Sequence, residues 1–345
     1  MTYKYNNVYL DEVSTVVGPY EARGLLGDKF DKSYKDLYNG EKTWEQAEAH
    51  LLEESIDILL NKSNKKSSEI DLIISGDLLN QVTSSSYGVL KYNRPFLGVY
   101  SACASSVEGI IIASSMIDCK KIKNCVVSTS SQGGFAKKVL VSTSSHNMAA
   151  EKQFRNPTEY GAPKPKTATF TSTGGASVLL TNKKTKIKVE SSTIGTVVDM
   201  EQNDPLNMGA VMAGAAALTI YKHLTDLNRD PSYYDLILTG DLGMYGKEIL
   251  IDYMKSEYNI DISKNYNDTG TMLYDFKNQK EVNAGGSGPV CCPLVCYSSI
   301  IPMLKSKKIN RVLIVATGAL FSPTNVFQHK NINSISHAVV LEALK

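Results

Sequence analysis

The sequence predicts an α/β protein built from two pseudo-symmetric halves, on three observations. Strand-like and helix-like periodicities alternate along the chain, which calls for sheets covered by helices. The strand-like runs are continuously apolar, as strands buried on both faces are. One motif also occurs twice: Asp71-Leu72-Ile73-Ile74-Ser75-Gly76-Asp77-Leu78 returns as Asp235-Leu236-Ile237-Leu238-Thr239-Gly240-Asp241-Leu242.

The elements follow in order. Thr43, with Gln46 three residues on, reads as a capping box. It starts a helix whose apolar face holds Trp44, Ala47, Leu51 and Ile58. The Asp71–Leu78 strand comes next. A strand-like run, Leu97-Gly98-Val99, then ends in Tyr100-Ser101-Ala102-Cys103-Ala104-Ser105-Ser106, and a long apolar helix follows at once. Val139–Thr143 and Ala176–Leu180 close the first half as strands. In the second half an Ala- and Gly-rich helix covers Asn207–Leu227, and Asp235–Leu242 repeats the motif strand. Val312–Thr317 and Ala338–Leu341 echo the two closing strands. Each half reads βαβαββ, with the division at 1–183 and 184–345 and the seam at Thr181–Lys186. A shorter duplication lies within 123–145: Lys123–Ser131 is echoed by Lys137–Ser145. The second copy runs into His146-Asn147 and reads as the sheet strand. The first copy reads as an edge strand or a surface excursion.

Composition narrows the function. Hydrophobic residues make up 42% and charged residues 21%, as in ordinary globular proteins. A net charge of +2 gives no bulk case for nucleic-acid binding. No apolar run is long enough to span a bilayer, and residues 1–7 lead into a strand and not into a signal-peptide core. A cytosolic protein, or one held at a membrane by a partner, is expected. The six cysteines form no pair of Cys-x-x-Cys knuckles, which argues against zinc and for free thiols.

Cys103 is the most informative residue, because its turn places a thiol at a helix N-terminus. Unpaired N–H groups and the helix dipole favour negative charge there. Such a thiol is a nucleophile of lowered pKa, a marker inside an anion pocket, or a small packing residue. Of the five histidines, His50 and His223 fall on amphipathic helices, His337 begins the last strand, and His329 sits in a polar loop. His146, at a strand end beside Asn147, is the strongest candidate.

These features, with the Gly-rich loop Ala284-Gly285-Gly286-Ser287-Gly288, resemble the thiolase superfamily. Within it the chain resembles the stage V sporulation protein AD family. The stretches that carry this are Gly27–Lys32, Ser75–Gln81, Thr143–Asn147, Glu151–Gly161, Leu238–Leu242, Asn267-Asp268 and Ala316–Thr324. The segment 119–132 reads as an insertion against the family pattern, and Thr269 stands where a cysteine is expected. The resemblance implies a thiolase-like fold in α/β/α/β/α layers, used for binding. The implied ligand is dipicolinic acid (pyridine-2,6-dicarboxylate), alone or with Ca²⁺, and no other cofactor. The implied role is moving that acid into the developing spore beside partner proteins of an inner-membrane channel, at its cytoplasmic face. Related folds dimerise, so the Ala213–Leu218 stretch is either a homodimer contact or buried. Thiolase-type enzymes set a His with a second His, an Asn or a Cys opposite the nucleophile, on loops of the C-terminal half. The loops at Gly240–Tyr245 and Gly285–Gly288 carry no such His, so binding without turnover is expected. The alternatives are an acyltransferase using Cys103 and a docking or plug subunit of the channel.

A flat dianion needs donors at both ends and cations nearby. The expected donors are the Cys103 turn, His146 and Asn147. Arg155 is expected to clamp a carboxylate bidentately, with Lys164 and Lys166 adding positive charge. Asp77 and Asp241 either cap turns or hold Ca²⁺ beside the ligand.

Overall fold

A computed structural model describes residues 1–118, 136–155, 164–320 and 322–344, without the Arg155 side chain. The first half supplies β1 (Tyr9–Val17), β2 (Leu72–Gly76), β3 (Phe96–Gly98), β4 (Lys138–Ser145) and β5 (Gly174–Thr181). The second supplies β6 (Ile187–Thr193), β7 (Leu236–Thr239), β8 (Tyr266–Asp268), β9 (Arg311–Leu320) and β10 (Asn333–Ala343). They hydrogen-bond in the order β8-β7-β9-β10-β6-β1-β5-β4-β2-β3, so β1 through β5 are matched one for one by β6 through β10. Short strands at Thr2–Lys4, Lys32–Ser33 and Val198–Asp199 pair at the margins. Each half carries one three-residue strand beyond the βαβαββ outline: β3, the strand-like run before the Cys103 turn, and its counterpart β8, which the sequence reading lacked.

The repeated motif builds the same corner twice. Asp71 Oδ2 accepts the backbone N–H groups of Lys137 and Lys138 at 2.7 and 2.8 Å. Asp235 Oδ2 accepts those of Asn310 and Arg311 at the same two distances. Each aspartate thus locks the parallel register of β2 on β4, or of β7 on β9.

The helices complete the layers. The principal ones are α1 (Trp44–Lys62), α2 (Thr83–Val89), α3 (Ser105–Ile117), α4 (Asn147–Arg155), α5 (Met208–Leu227) and α6 (Gly243–Tyr258). A composite helix follows as α7 (Cys291–Val295), a π turn (Cys296–Ile300) and α8 (Ile301–Lys305). α1 covers the first half-sheet on the outside, and α5 covers the second. Between them, α3 touches β2 and β4 of its own half and β9 and β10 of the other, while the composite helix lies against β1, β5 and β10. Thr43 caps α1 through its Oγ1, which accepts the Gln46 N–H at 3.2 Å. Ala47, Leu51, Leu52, Ile56 and Leu59 are buried, with Trp44 and Ile58 only half-buried, so the buried stripe is rotated from the expected one. α5 lies inside its half: Ala213, Ala215, Ala216 and Ala217 are inaccessible, and Gly209 backs onto Gly246 of α6. Its small residues therefore serve close helix packing and not an outer contact. In the 123–145 duplication the second copy forms β4, and the first lies outside the described residues. Among the described residues no helix is long and apolar enough to cross a membrane.

Glu21 joins the halves without reaching solvent. Its Oε1 accepts from the Thr173 N–H at 3.0 Å and from the Tyr274 hydroxyl, and its Oε2 has no partner among the described residues. Burial raises this carboxyl to about 7 against the opposing effect of these donors. A folded pKa above the unfolded value means that the unfolded chain releases its proton first as pH rises. Stability is therefore lost between pH 4.5 and about 7, by about 3 kcal/mol from this group. Glu21→Gln keeps an acceptor oxygen and removes the titration. Urea unfolding across that range is expected to show wild type losing stability relative to the variant as pH rises.

Candidate functional site

The second aspartate of each repeated motif stands at the opposite end of its strand, and there the halves diverge. Asp77 is buried, with Oδ1 accepting from Leu79 N–H at 2.8 Å and Oδ2 from Ser85 N–H at 2.7 Å. Both oxygens hold the turn into α2, so Asp77 caps that turn, and it does not line the cavity at Cys103. Asp241 is equally buried but faces the other half. Its Oδ2 accepts the Gly288 N–H at 2.8 Å, and no donor among the described residues bonds Oδ1. The thiols of Cys103 and Cys291 flank this carboxyl.

The chain is bent to make this meeting. Ala102, just before the thiol, has φ +47°, and Asp241 has φ +70°. Left-handed backbone at non-glycine residues is uncommon and gathers at sites where the surroundings over-determine it. Ser105 stitches the thiol turn, its Oγ accepting from Ser101 N–H at 3.0 Å and donating to Ala102 O at 2.7 Å. Asp268 stitches the other turn through Leu242 N–H, Gly243 N–H, Gly270 N–H and the Thr239 hydroxyl, at 2.7 to 3.2 Å. Burial raises Asp268 to about 6. Its neighbour Thr269 is fully buried, and its hydroxyl has no partner among the described residues.

Electrostatics decide the state of Cys103. Burial, then the Asp241 charge, pushes its thiol well above the usual range, and burial likewise holds Asp241 toward its neutral form. Of the alternatives for this thiol, a lowered pKa is the one the electrostatics disfavour, because burial outweighs the helix terminus and the Asp241 carboxyl adds to it. Cys291 is raised in the same way and is no base. The expected chemistry is a slow thiol: alkylation of Cys103 by iodoacetamide at pH 7 should run more slowly than that of free cysteine. Asp241→Asn leaves the burial that chiefly sets this state in place, so alkylation should stay slow in the variant, as read by peptide mass spectrometry.

Cys103 opens onto a cavity of about 220 Å³ between the halves. Its walls are mostly apolar: Leu78, Tyr100 and Ala102 from the first half, Ala150 and Phe154 of α4, Met208 and Met212 of α5, and Val326 and Phe327. Polar atoms come from Thr169, Thr171, Ser287, Glu151 and Lys164. Lys164 donates to Glu151, so the cation arrives neutralised and half-buried instead of solvated.

The other predicted residues sit elsewhere. His146 turns its ring away from the cavity, Nε2 donating to Leu37 O at 2.7 Å and Nδ1 accepting from Ala149 N–H at 3.3 Å. Burial lowers its pKa, so it is a neutral structural histidine. Asn147 binds Thr171 O at 3.2 Å and braces the wall without lining it. Lys166 is exposed and outside the lining, and the Arg155 side chain lies outside the described residues. His337, read as structural, lies under the thiol turn: Nδ1 accepts from Gly195 N–H at 3.2 Å and Nε2 faces Ser101 Oγ at 3.4 Å. Desolvation lowers it to about 4. His329 is exposed. His223 is buried between Thr193 and Tyr234, and His50 bonds Glu41.

Comparison with known proteins agrees with this architecture. A family model described as Stage V sporulation protein AD matches residues 2–133 and 131–342, breaking and restarting inside the duplicated stretch. Stage V sporulation protein AD of Bacillus subtilis (strain 168) is 42% identical over 335 residues, covering 97% of this chain and 94% of that protein. Among solved structures, cerulenin-bound OleA of Xanthomonas campestris superposes with a TM-score of 0.61 at 14% identity, covering 98% of this chain and 97% of that one. The 3-oxoacyl-[acyl-carrier-protein] synthase III of Aquifex aeolicus VF5 gives 0.54 at 13% identity, over 97% and 99%. At these identities the two enzymes establish the thiolase-like fold and nothing of the chemistry.

Proposed function

The chain belongs to the stage V sporulation protein AD family, and from that premise we propose that it binds dipicolinic acid, as its calcium chelate, in the Cys103 cavity without turning it over. The observation that carries this reading is that the cavity lining, among the described residues, has no net charge. Its walls are apolar, its thiol is held neutral beside Asp241, and Lys164 is already paired with Glu151. A free dianion loses hydration in such a site without a cation to replace it. One Ca²⁺ bound to one dipicolinate dianion is flat and electrically neutral, and suits it. No group of three or more His, Cys, Asp or Glu side chains fit to hold a metal occurs among the described residues, so the calcium comes with the acid as cargo. Glu151, on the wall, is a carboxylate that could complete its oxygen shell.

In this reading the protein serves uptake of the acid into the developing spore, at the cytoplasmic face of the inner membrane beside its channel proteins. Equilibrium dialysis tests it: dipicolinate with calcium is retained by the protein, and no retention at millimolar ligand rejects it. The enzyme-like fold favours a second reading, acyl transfer through Cys103. Incubation with acyl-coenzyme A thioesters decides between them, since an acyl mass on Cys103 supports transfer and its absence supports binding.

A further inference from the structure

Among the described residues, two charged side chains line the Cys103 cavity, and they meet each other there. Glu151 stands on α4, and Lys164 stands on the irregular segment that leads to Phe170; Lys164 Nζ donates to Glu151 Oε1. The two side chains are 16% and 19% exposed, so water screens the pair only weakly. The carboxylate sits on a braced helix. Gln153, two residues on, accepts the Asn80 N–H at 2.9 Å through Oε1 and donates to Leu78 O at 2.8 Å through Nε2, which ties α4 to the Leu78 wall. Lys152, between them, is exposed and pairs with Glu45 at 2.7 Å, outside the cavity lining. Lys164 instead carries its charge on a flexible four-carbon stem, able to swing while Glu151 stays near its place. Thr169, Thr171 and Ser287 bring hydroxyl groups to the same space of about 220 Å³.

We propose that this ion pair is the cavity's selector, parting for a ligand that carries both a cationic and an anionic pole: Glu151 turns to a divalent cation held by the ligand, and Lys164 turns to a ligand carboxylate. The inference rests on the reading of the cavity as the chelate's site. A partly buried pair is costly to break when either charge is left alone, because a lone charge there has lost its water and its partner. A free dicarboxylate gives Lys164 a new partner but leaves Glu151 unpaired and facing a second anion. A free divalent cation satisfies Glu151 and repels Lys164. A metal–carboxylate chelate supplies both partners at once, so no charge is left over. Discrimination then comes from what the wrong ligand leaves unpaired, and not from extra contacts to the right one.

Equilibrium dialysis of the full chain against dipicolinate, with calcium or with a calcium chelator present, tests this on two variants of opposite expected sign. Wild type retains the calcium form more tightly. Glu151→Gln frees Lys164 and removes the opposing carboxylate, so free dipicolinate gains on the order of ten-fold and the calcium form loses on the order of ten-fold. The calcium preference therefore falls on the order of 100-fold. Lys164→Gln leaves Glu151 unopposed, so retention of free dipicolinate is lost and the calcium preference widens. A pair that served stability alone would shift both forms together in each variant, and urea midpoints read that contribution separately. An unchanged preference in Glu151→Gln, or a narrowed one in Lys164→Gln, overturns the proposal, and either variant decides if the other does not fold. Retention of neither form by wild type is a different result: it rejects the cavity reading itself, and this inference with it.

Discussion

Gly318→Ala is expected to lower stability by about 2–3 kcal/mol and to weaken ligand binding at the same time. A Cβ at Gly318 would lie 2.1 Å from Ser101 O and 3.3 Å from Ala104 N. That carbonyl cannot yield freely, because it accepts the Ala104 N–H at 2.9 Å as the turn enters α3. The added methyl therefore pushes on the turn that carries Cys103. Gly98→Ala is the control: the nearest atom to its Cβ is 3.5 Å away, an ordinary contact, and a surface change of this kind stays within about 0.5 kcal/mol. Urea midpoints and dialysis on both variants check the prediction. Equal behaviour of the two would mean that the strand end does not brace the thiol turn.

Thr169→Trp is expected to abolish measurable dipicolinate binding, with an affinity loss of at least about 100-fold, on the order of 3 kcal/mol. Thr169 lines the cavity, is half-buried, and stands on an irregular segment before Phe170. An indole there occupies the ligand's space without displacing the packed core, so the unfolding midpoint should hardly move. His146→Gln is expected to do the reverse. Its ring holds Leu37 O and Ala149 N–H away from the cavity, so stability falls by about 1 kcal/mol or more while affinity is kept. If His146→Gln abolishes binding and Thr169→Trp does not, the ligand sits outside this cavity.

Much of the architecture was legible because it is local and repeated. Apolar runs ending in Gly-Asp mark β2 and β7, and the small residues before Ser105 mark the turn into α3. The resemblance to the family rested on long stretches such as Ser75–Gln81, and these carried the fold correctly. The site was less legible because its decisive contacts join distant segments. Asp77 and Asp241 occupy the same place in the repeated motif, yet one finds two backbone N–H groups and the other faces two thiols. Nothing in the motif distinguishes them. His146 and Asn147 sit at the strand end as expected, but which way a ring turns depends on Leu37, more than a hundred residues away. The apolar walls come from α4, α5 and the segment after β9, each unremarkable alone. The pairing of Lys164 was hidden for a related reason, since it meets Glu151 only once α4 is placed. The stripe of α1 was displaced because packing against β1, β4 and β5, and not helical period alone, chose its face.

Calorimetric titration of the full chain tests the central claim most directly, using dipicolinate with and without calcium and isophthalate as the isosteric acid lacking the ring nitrogen. The account predicts saturable binding near one ligand per chain, tighter with calcium than without, and none with isophthalate. Binding that calcium weakens, or isophthalate binding as well as dipicolinate, would contradict a cavity built for the neutral chelate.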